Sequence, residues 1–217
     1  MIWIFDLDDT LYEENSYVRS GLREVALFSN RNFLVPFAEA YRLMEQEFIN
    51  QGRTNVFQKL KIWYPEVASS IEDLVDVYRN HTPNLKLYPD AEDLLNLLGG
   101  ESLFLVTDGS RETQWNKIQA LHLESRFNKI FVTDEFDEHA AKPGIACFEM
   151  IKNYCESDWD NMVYIGDDPH KDFISLKPLG VRTVRVNRGR FKNLALGLDF
   201  EAELTVENLE NLLLKVS

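Results

Sequence analysis

Residues 6–10 read DLDDT, three carboxylates in four positions, directly after the apolar run IWIF. Two carboxylates about 4 Å apart repel by roughly 4 kcal/mol at an effective dielectric near 20. Such a cluster either points into water or is repaid by a cation. Three later segments carry matching chemistry. Thr107, Asp108 and Gly109 follow LFLV, and Lys142 lies in AAKPG after the run IFV and a loop. Gly166, Asp167, Asp168 and Asp172 follow MVYI. Each motif alone is weak, but their order and their shared position after apolar runs make one signal. A carboxylate can attack phosphorus and split a hard hydrolysis into two steps. Anion then meets anion, and a divalent cation must neutralise both. A hard ion held by few carboxylates, several waters and a phosphate is characteristic of Mg²⁺.

The elements that position these residues follow from periodicity. Short, continuously apolar runs at Ile2 to Phe5, Leu103 to Val106, Ile130 to Val132, Met162 to Ile165 and Val181 to Val186 read as strands buried on both faces. Helical stripes lie between them. Ala91, Leu94, Leu95 and Leu98 share one face before the Gly99-Gly100 stop. Trp115, Ile118 and Leu121 mark a second helix, and Ile145, Phe148 and Ile151 a third. Phe173 and Leu176 suggest a shorter one, and TVENLENLLLKVS a last helix with Thr205 as N-cap. The alternation predicts an α/β fold, a doubly wound Rossmann-like parallel sheet. Residues 14–85 break the pattern. Phe37, Tyr41, Met44 and Phe48 recur at helical spacing, as do Ile71, Leu74, Val75 and Tyr78. We expect an all-helical insertion, with linkers near Glu13–Ser16 and Thr82–Pro89 and residues 1–13 and 86–217 forming the core. In an open α/β sheet ligands sit at the carboxyl ends of the strands, where all four motifs fall.

The set resembles the haloacid dehalogenase superfamily, a group dominated by phosphohydrolases. FDLDDT is similar to its first motif, LVTDG to its second, Lys142 in AAKPG to its third and IGDDPHKD to its acidic fourth. The helical insertion after the first motif resembles the cap of a subgroup that includes phosphoglycolate phosphatase-like and beta-phosphoglucomutase-like enzymes. His139 stands where glycine is common in that subgroup, and Ile145 where proline is common. The dehalogenase branch lacks the acid two residues after the nucleophile, and Asp8 is present here.

The resemblance implies a Mg²⁺-dependent phosphatase acting on a small phosphorylated metabolite through an aspartyl-phosphate. Asp6, last to leave the strand, is the candidate nucleophile, and Asp8 the general acid and later base. Asp6 and Asp167 are expected to hold the metal with the backbone carbonyl of Asp8, and Asp172 or Asp168 its waters. Thr107 and the amides of Asp108 and Gly109 are expected to bind phosphate near a helix N-terminus, with Lys142 as a second positive charge. A phosphomutase on the same residues is the alternative, and a non-catalytic binding protein a more distant one. Asp9 is expected to face solvent or cap the turn, and Thr10 to be structural. Arg111 is expected on a helix surface. His81, His122, His139 and His170 are expected to be exposed.

The net charge of −13 and the absence of a Lys/Arg cluster argue against a nucleic-acid partner. The densest basic stretch, RTVRVNRGRFK at 182–192, reads as a solvated strand and loop. No apolar run approaches a membrane span, and Met1 leads into a strand and not into a signal peptide. We therefore expect a cytoplasmic monomer with no obligate protein partner, in which Cys147 and Cys155 are buried, reduced thiols.

Overall fold

The computed structural model describes residues 1–67, 71–137 and 139–212. In chain order the elements are β1 (Ile2–Phe5), α1 (Glu14–Phe33), α2 (Phe37–Gln51), α3 (Val56–Trp63), α4 (Ile71–Asn80), α5 (Pro89–Leu97), β2 (Ser102–Thr107), α6 (Arg111–Ala120), β3 (Lys129–Val132), α7 (Ala146–Tyr154), β4 (Met162–Gly166), β5 (Arg182–Val186) and β6 (Leu204–Val206). The chain divides into two compact units, Met1–Glu14 with Leu85–Ser217, and Asn15–Asn84.

The first unit is an α/β Rossmann-like fold. Its six strands are all parallel, in the order β3-β2-β1-β4-β5-β6. Alternate residues of each strand feed opposite faces. Ile2, Ile4, Phe104, Val106, Met162 and Tyr164 pack with Phe148 and Ile151 of α7, while Phe5 meets Phe127 edge-on. Both faces being covered explains the unbroken apolar runs. The order reverses at β1: the chain goes first to β2 on one side, then returns to β4 on the other. That switch point opens a crevice at the strands' carboxyl ends.

Three expectations about the first unit need correction. Thr205 is in β6, paired with Arg185, and is not a helix cap. Helical residues begin only at 210, where Asn208 accepts from the Asn211 amide at 3.2 Å as a cap should; the remainder of the expected helix, 213–217, lies outside the described residues. Phe173 and Leu176 are buried, but they sit on turns leading into a 3₁₀ turn at Lys177–Leu179. The basic stretch is not simply solvated. Arg185 is buried and paired with Glu201. The Arg188 guanidinium grips Asp90 through bonds of 2.7 and 2.8 Å and stacks over Tyr88. It also donates to the carbonyls of Asp9 and Thr10, so the stretch clamps the loop after β1. Removing one partner of a buried pair strands the other. Arg188→Met is therefore expected to lower the unfolding free energy by about 3 kcal/mol, read as a lower urea midpoint at unchanged slope. A loss below about 1 kcal/mol would mean the pair behaves as a surface bridge.

The second unit is helical. Val18, Leu22, Val25 and Ala26 of α1 pack with Met44 of α2, Leu60 of α3 and Leu74 of α4. His81 is buried in this unit and not exposed as expected; its Nδ1 lies 2.6 Å from the Tyr78 carbonyl and its ring packs on Tyr17. No described helix is long and apolar enough to cross a membrane.

Candidate active site

The sheet register builds the site. Phe5 lies opposite both Leu105 and Ile165, so Asp6 leaves the sheet level with the ends of β2 and β4. Its amide still donates to the Ile165 carbonyl at 2.9 Å, holding the residue as a continuation of the strand. The Asp6 carboxylate is nearly inaccessible. One oxygen receives the Lys142 ammonium and the other the Thr10 hydroxyl, at 3.4 Å. Thr10 is fully buried.

Lys142 bonds beyond Asp6. Its Nζ donates to the Tyr164 hydroxyl at 2.8 Å and lies 2.9 Å from Asp172 Oδ1. Tyr164 in turn donates to Asp172 Oδ1 at 2.9 Å, and the Asp168 amide donates to Oδ2 at 2.9 Å. Burial by itself would push the Lys142 ammonium down. The charges of Asp172 and Asp6 outweigh it and hold the group well above the usual lysine range. Gly166 makes the approach of Asp172 possible, because a Cβ at 166 would lie 2.4 Å from Asp172 Oδ2.

Asp6, Asp167 and Asp172 each bring a carboxylate oxygen within 4.8 Å of the others, and all three are buried. Asp167 accepts no hydrogen bond from the described residues. Burial first, then the charges of Asp6 and Asp172, push its carboxyl far above the usual range. Asp6 is also raised, chiefly by burial, and Lys142 offsets this only in part. Clustered, dry, hard oxygens with one carboxylate left unpartnered suit a divalent cation such as Mg²⁺. Asp172, like Asp6, has both oxygens occupied by protein donors, and Asp167 alone of the three has none.

The carboxylate of Asp8 is turned to α6. Lys117 Nζ lies 2.8 Å from each of its oxygens, Gln114 Nε2 donates to Oδ2 at 3.4 Å, and the Tyr12 hydroxyl donates to Oδ1. Thr107, at the end of β2, spends its hydroxyl proton on Gln114 Oε1 at 3.1 Å. Gly109 follows with a φ of 131°, and a Cβ there would lie 2.3 Å from Gln114 Nε2. Only glycine accepts both conditions.

Asp108 accepts from the Thr133 hydroxyl, the Lys142 amide and Lys171 Nζ, at 3.0, 3.1 and 2.7 Å. Burial opposes its ionisation, but the Lys142 and Lys171 ammoniums prevail and hold it below the usual carboxylate range. The side chain therefore fixes the loop of the third motif to that of the second.

The other candidates divide. Asp9 does not face solvent: it is buried in the left-handed region with a φ of 52°, which aspartate tolerates better than most residues. It accepts from the amides of Glu14, at the start of α1, and Arg190, both at 2.9 Å. Asp168 turns its carboxylate to the His170 amide and ring, and it is outside the metal-competent trio. His122, His139 and His170 are exposed. Arg111 is exposed on α6 and pairs with Glu135 at 2.9 Å. Cys147 is buried, Cys155 is half-buried, and both are free thiols.

Sequence reasoning missed Gln114, Lys117, Tyr164 and Lys171. A signal existed for three of them. Gln114 and Lys117 share a helical face with Ile118 and Leu121, so they were polar groups on an inward stripe. Tyr164 placed a hydroxyl in a strand buried on both faces, where it needs a partner. Lys171 was visible only as part of an exposed-looking loop.

Residues 3–186 match the family model described as haloacid dehalogenase-like hydrolase. The glyceraldehyde 3-phosphate phosphatase of Methanocaldococcus jannaschii is 26% identical, over 96% of this chain and 93% of its own length. The phosphoserine phosphatase of Thermus thermophilus is 24% identical, over 86% of this chain and 88% of its own. Among solved structures, the magnesium-bound hydrolase YfnB from Bacillus subtilis has the same fold, with a TM-score of 0.70 at 20% identity, covering 100% of this chain and 98% of its own.

Proposed function

We propose that this chain, which belongs to the haloacid dehalogenase-like hydrolases, is a phosphatase that hydrolyses a small phosphate monoester through an aspartyl-phosphate on Asp6. One observation carries the reading: a buried carboxylate at the first strand's exit shares a lysine with Asp172 and lies in one oxygen cluster with the unpartnered Asp167. Asp6 attacks phosphorus while Asp8 gives a proton to the leaving oxygen. Asp8 then takes a proton from water, which attacks the phosphoryl group, releases phosphate and restores Asp6. Lys142 and the amides of Asp108 and Gly109 hold the phosphoryl oxygens, and Thr107, whose hydroxyl donates to Gln114 in the resting site, turns to join them. Asp6, Asp167 and the Asp8 carbonyl would hold Mg²⁺, with Asp172 on its waters, and the ion would supply the charge neutralisation.

Residues 14–85 are read as the cap that selects the substrate. The named activities of the relatives point to a substrate with a short carbon chain, and they favour water over a second sugar hydroxyl as acceptor. The free thiols fit a cytoplasmic setting.

Phosphate release from glyceraldehyde 3-phosphate, phosphoserine and p-nitrophenyl phosphate tests the reading. Excess chelator is expected to reduce turnover at least about 100-fold, with Mg²⁺ restoring it. Turnover that survives chelation, or no hydrolysis of any monoester with Mg²⁺ present, overturns it. The raised carboxyls of Asp6 and Asp167 add a sign. Near neutral pH the metal-free cluster retains protons that the metal must displace. Titration with Mg²⁺ is therefore expected to release protons, and the affinity to weaken as pH falls.

A further inference from the structure

Lys117 is a lysine on the inner face of α6, with its side chain 3% exposed. Burying an ammonium costs several kcal/mol unless a carboxylate compensates it. The compensating group here is Asp8, whose own side chain is 22% exposed. Contact at 2.8 Å to both oxygens centres the ammonium on the carboxylate and fixes its distance from α6. The same helix joins that carboxylate to the phosphate loop. Gln114 donates to Asp8 Oδ2 through its nitrogen and accepts from the Thr107 hydroxyl through its oxygen. Lys117 Nζ also reaches Gln114 Oε1 at 3.5 Å. A hydroxyl expected on phosphate and a carboxylate expected on the leaving oxygen are thus tied through two side chains one helical turn apart.

We infer that Lys117 is a positioning residue for Asp8, holding its carboxylate in register with Thr107 through Gln114. This rests on the reading of Asp8 as the acid that protonates the leaving oxygen. A displacement of about 1 Å at such a group costs on the order of 100-fold in rate. The loss should scale with how much the leaving oxygen needs a proton. A lysine that merely staples α6 to the loop after β1 would affect all esters alike.

The test compares kcat/KM, which covers steps through the first phosphoryl transfer, for two esters in Mg²⁺. Glycerol 3-phosphate has an alkoxide leaving group that must be protonated; 2,4-dinitrophenyl phosphate does not. For Lys117→Met, kcat/KM is expected to fall about 100-fold on the alkyl ester and less than about threefold on the aryl ester. Equal losses on both esters, or none on either, overturn the inference. Should Lys117→Met fail to fold, Lys117→Arg, which keeps the charge but moves its centre, undergoes the same comparison under the same criteria. Asp8→Asn separates the two layers. If it shows no ester dependence, the assignment of Asp8 falls. If it shows the dependence and the Lys117 variant does not, only the positioning role falls.

Discussion

Asp6→Asn is expected to reduce p-nitrophenyl phosphate turnover by roughly 10⁴-fold or more in saturating Mg²⁺, the scale seen when a nucleophile is removed from a concerted site. The fold is expected to survive. Asn is nearly isosteric, Lys142 keeps Asp172 and Tyr164 as partners, and one source of repulsion on Asp167 disappears. A thermal midpoint close to that of the parent, together with lost turnover, is the expected pair of results. Undiminished turnover removes Asp6 as nucleophile, whatever the metal does.

Lys142→Met is the second large effect, and it acts on both stability and rate. The ammonium is buried among Asp6, Asp172 and Tyr164. Without it the cluster of Asp6, Asp167 and Asp172 has lost its nearest cation. Breaking a buried pair in this way costs about 3–5 kcal/mol, measurable by urea unfolding without metal. Because a divalent ion bound to the folded state offsets the same repulsion, added Mg²⁺ is expected to recover part of that loss. Turnover is expected to fall by about 10²–10³-fold, as when one donor to a developing charge is deleted. Parent-like kcat/KM would remove Lys142 from phosphate binding.

The sequence exposed some layers of this molecule and hid others for physical reasons. β1 and β4 were legible because strands covered on both faces leave uninterrupted apolar runs, as in Ile2–Phe5 and Met162–Gly166. β6 was not. LTV is three residues with a polar centre, and Thr205 before Asn208 imitates a helix start. Phe173 and Leu176 have helical spacing, yet consecutive turns bury them equally well. At the site, Asp6, Lys142, Asp167 and Asp172 come together at the strand exits. What stayed hidden was the polar lining behind them. Arg188 and Asp9 look like loop residues in one dimension, and only their pairing across 179 positions shows them as parts of one clamp. Lys117 likewise becomes informative only when α6 is laid against the loop of Asp8.

The placement of β1 between β2 and β4 has a consequence for biosynthesis. The segment bearing Asp6 is synthesised well before its partners: its seat needs Ile165, and Asp9 needs the amide of Arg190. At roughly 5–20 residues per second, translation separates Asp6 from those partners by on the order of 10–40 s. A nascent chain therefore carries the acidic loop without its partners until Arg190 has been made, so the ordering of that loop is a late event of synthesis.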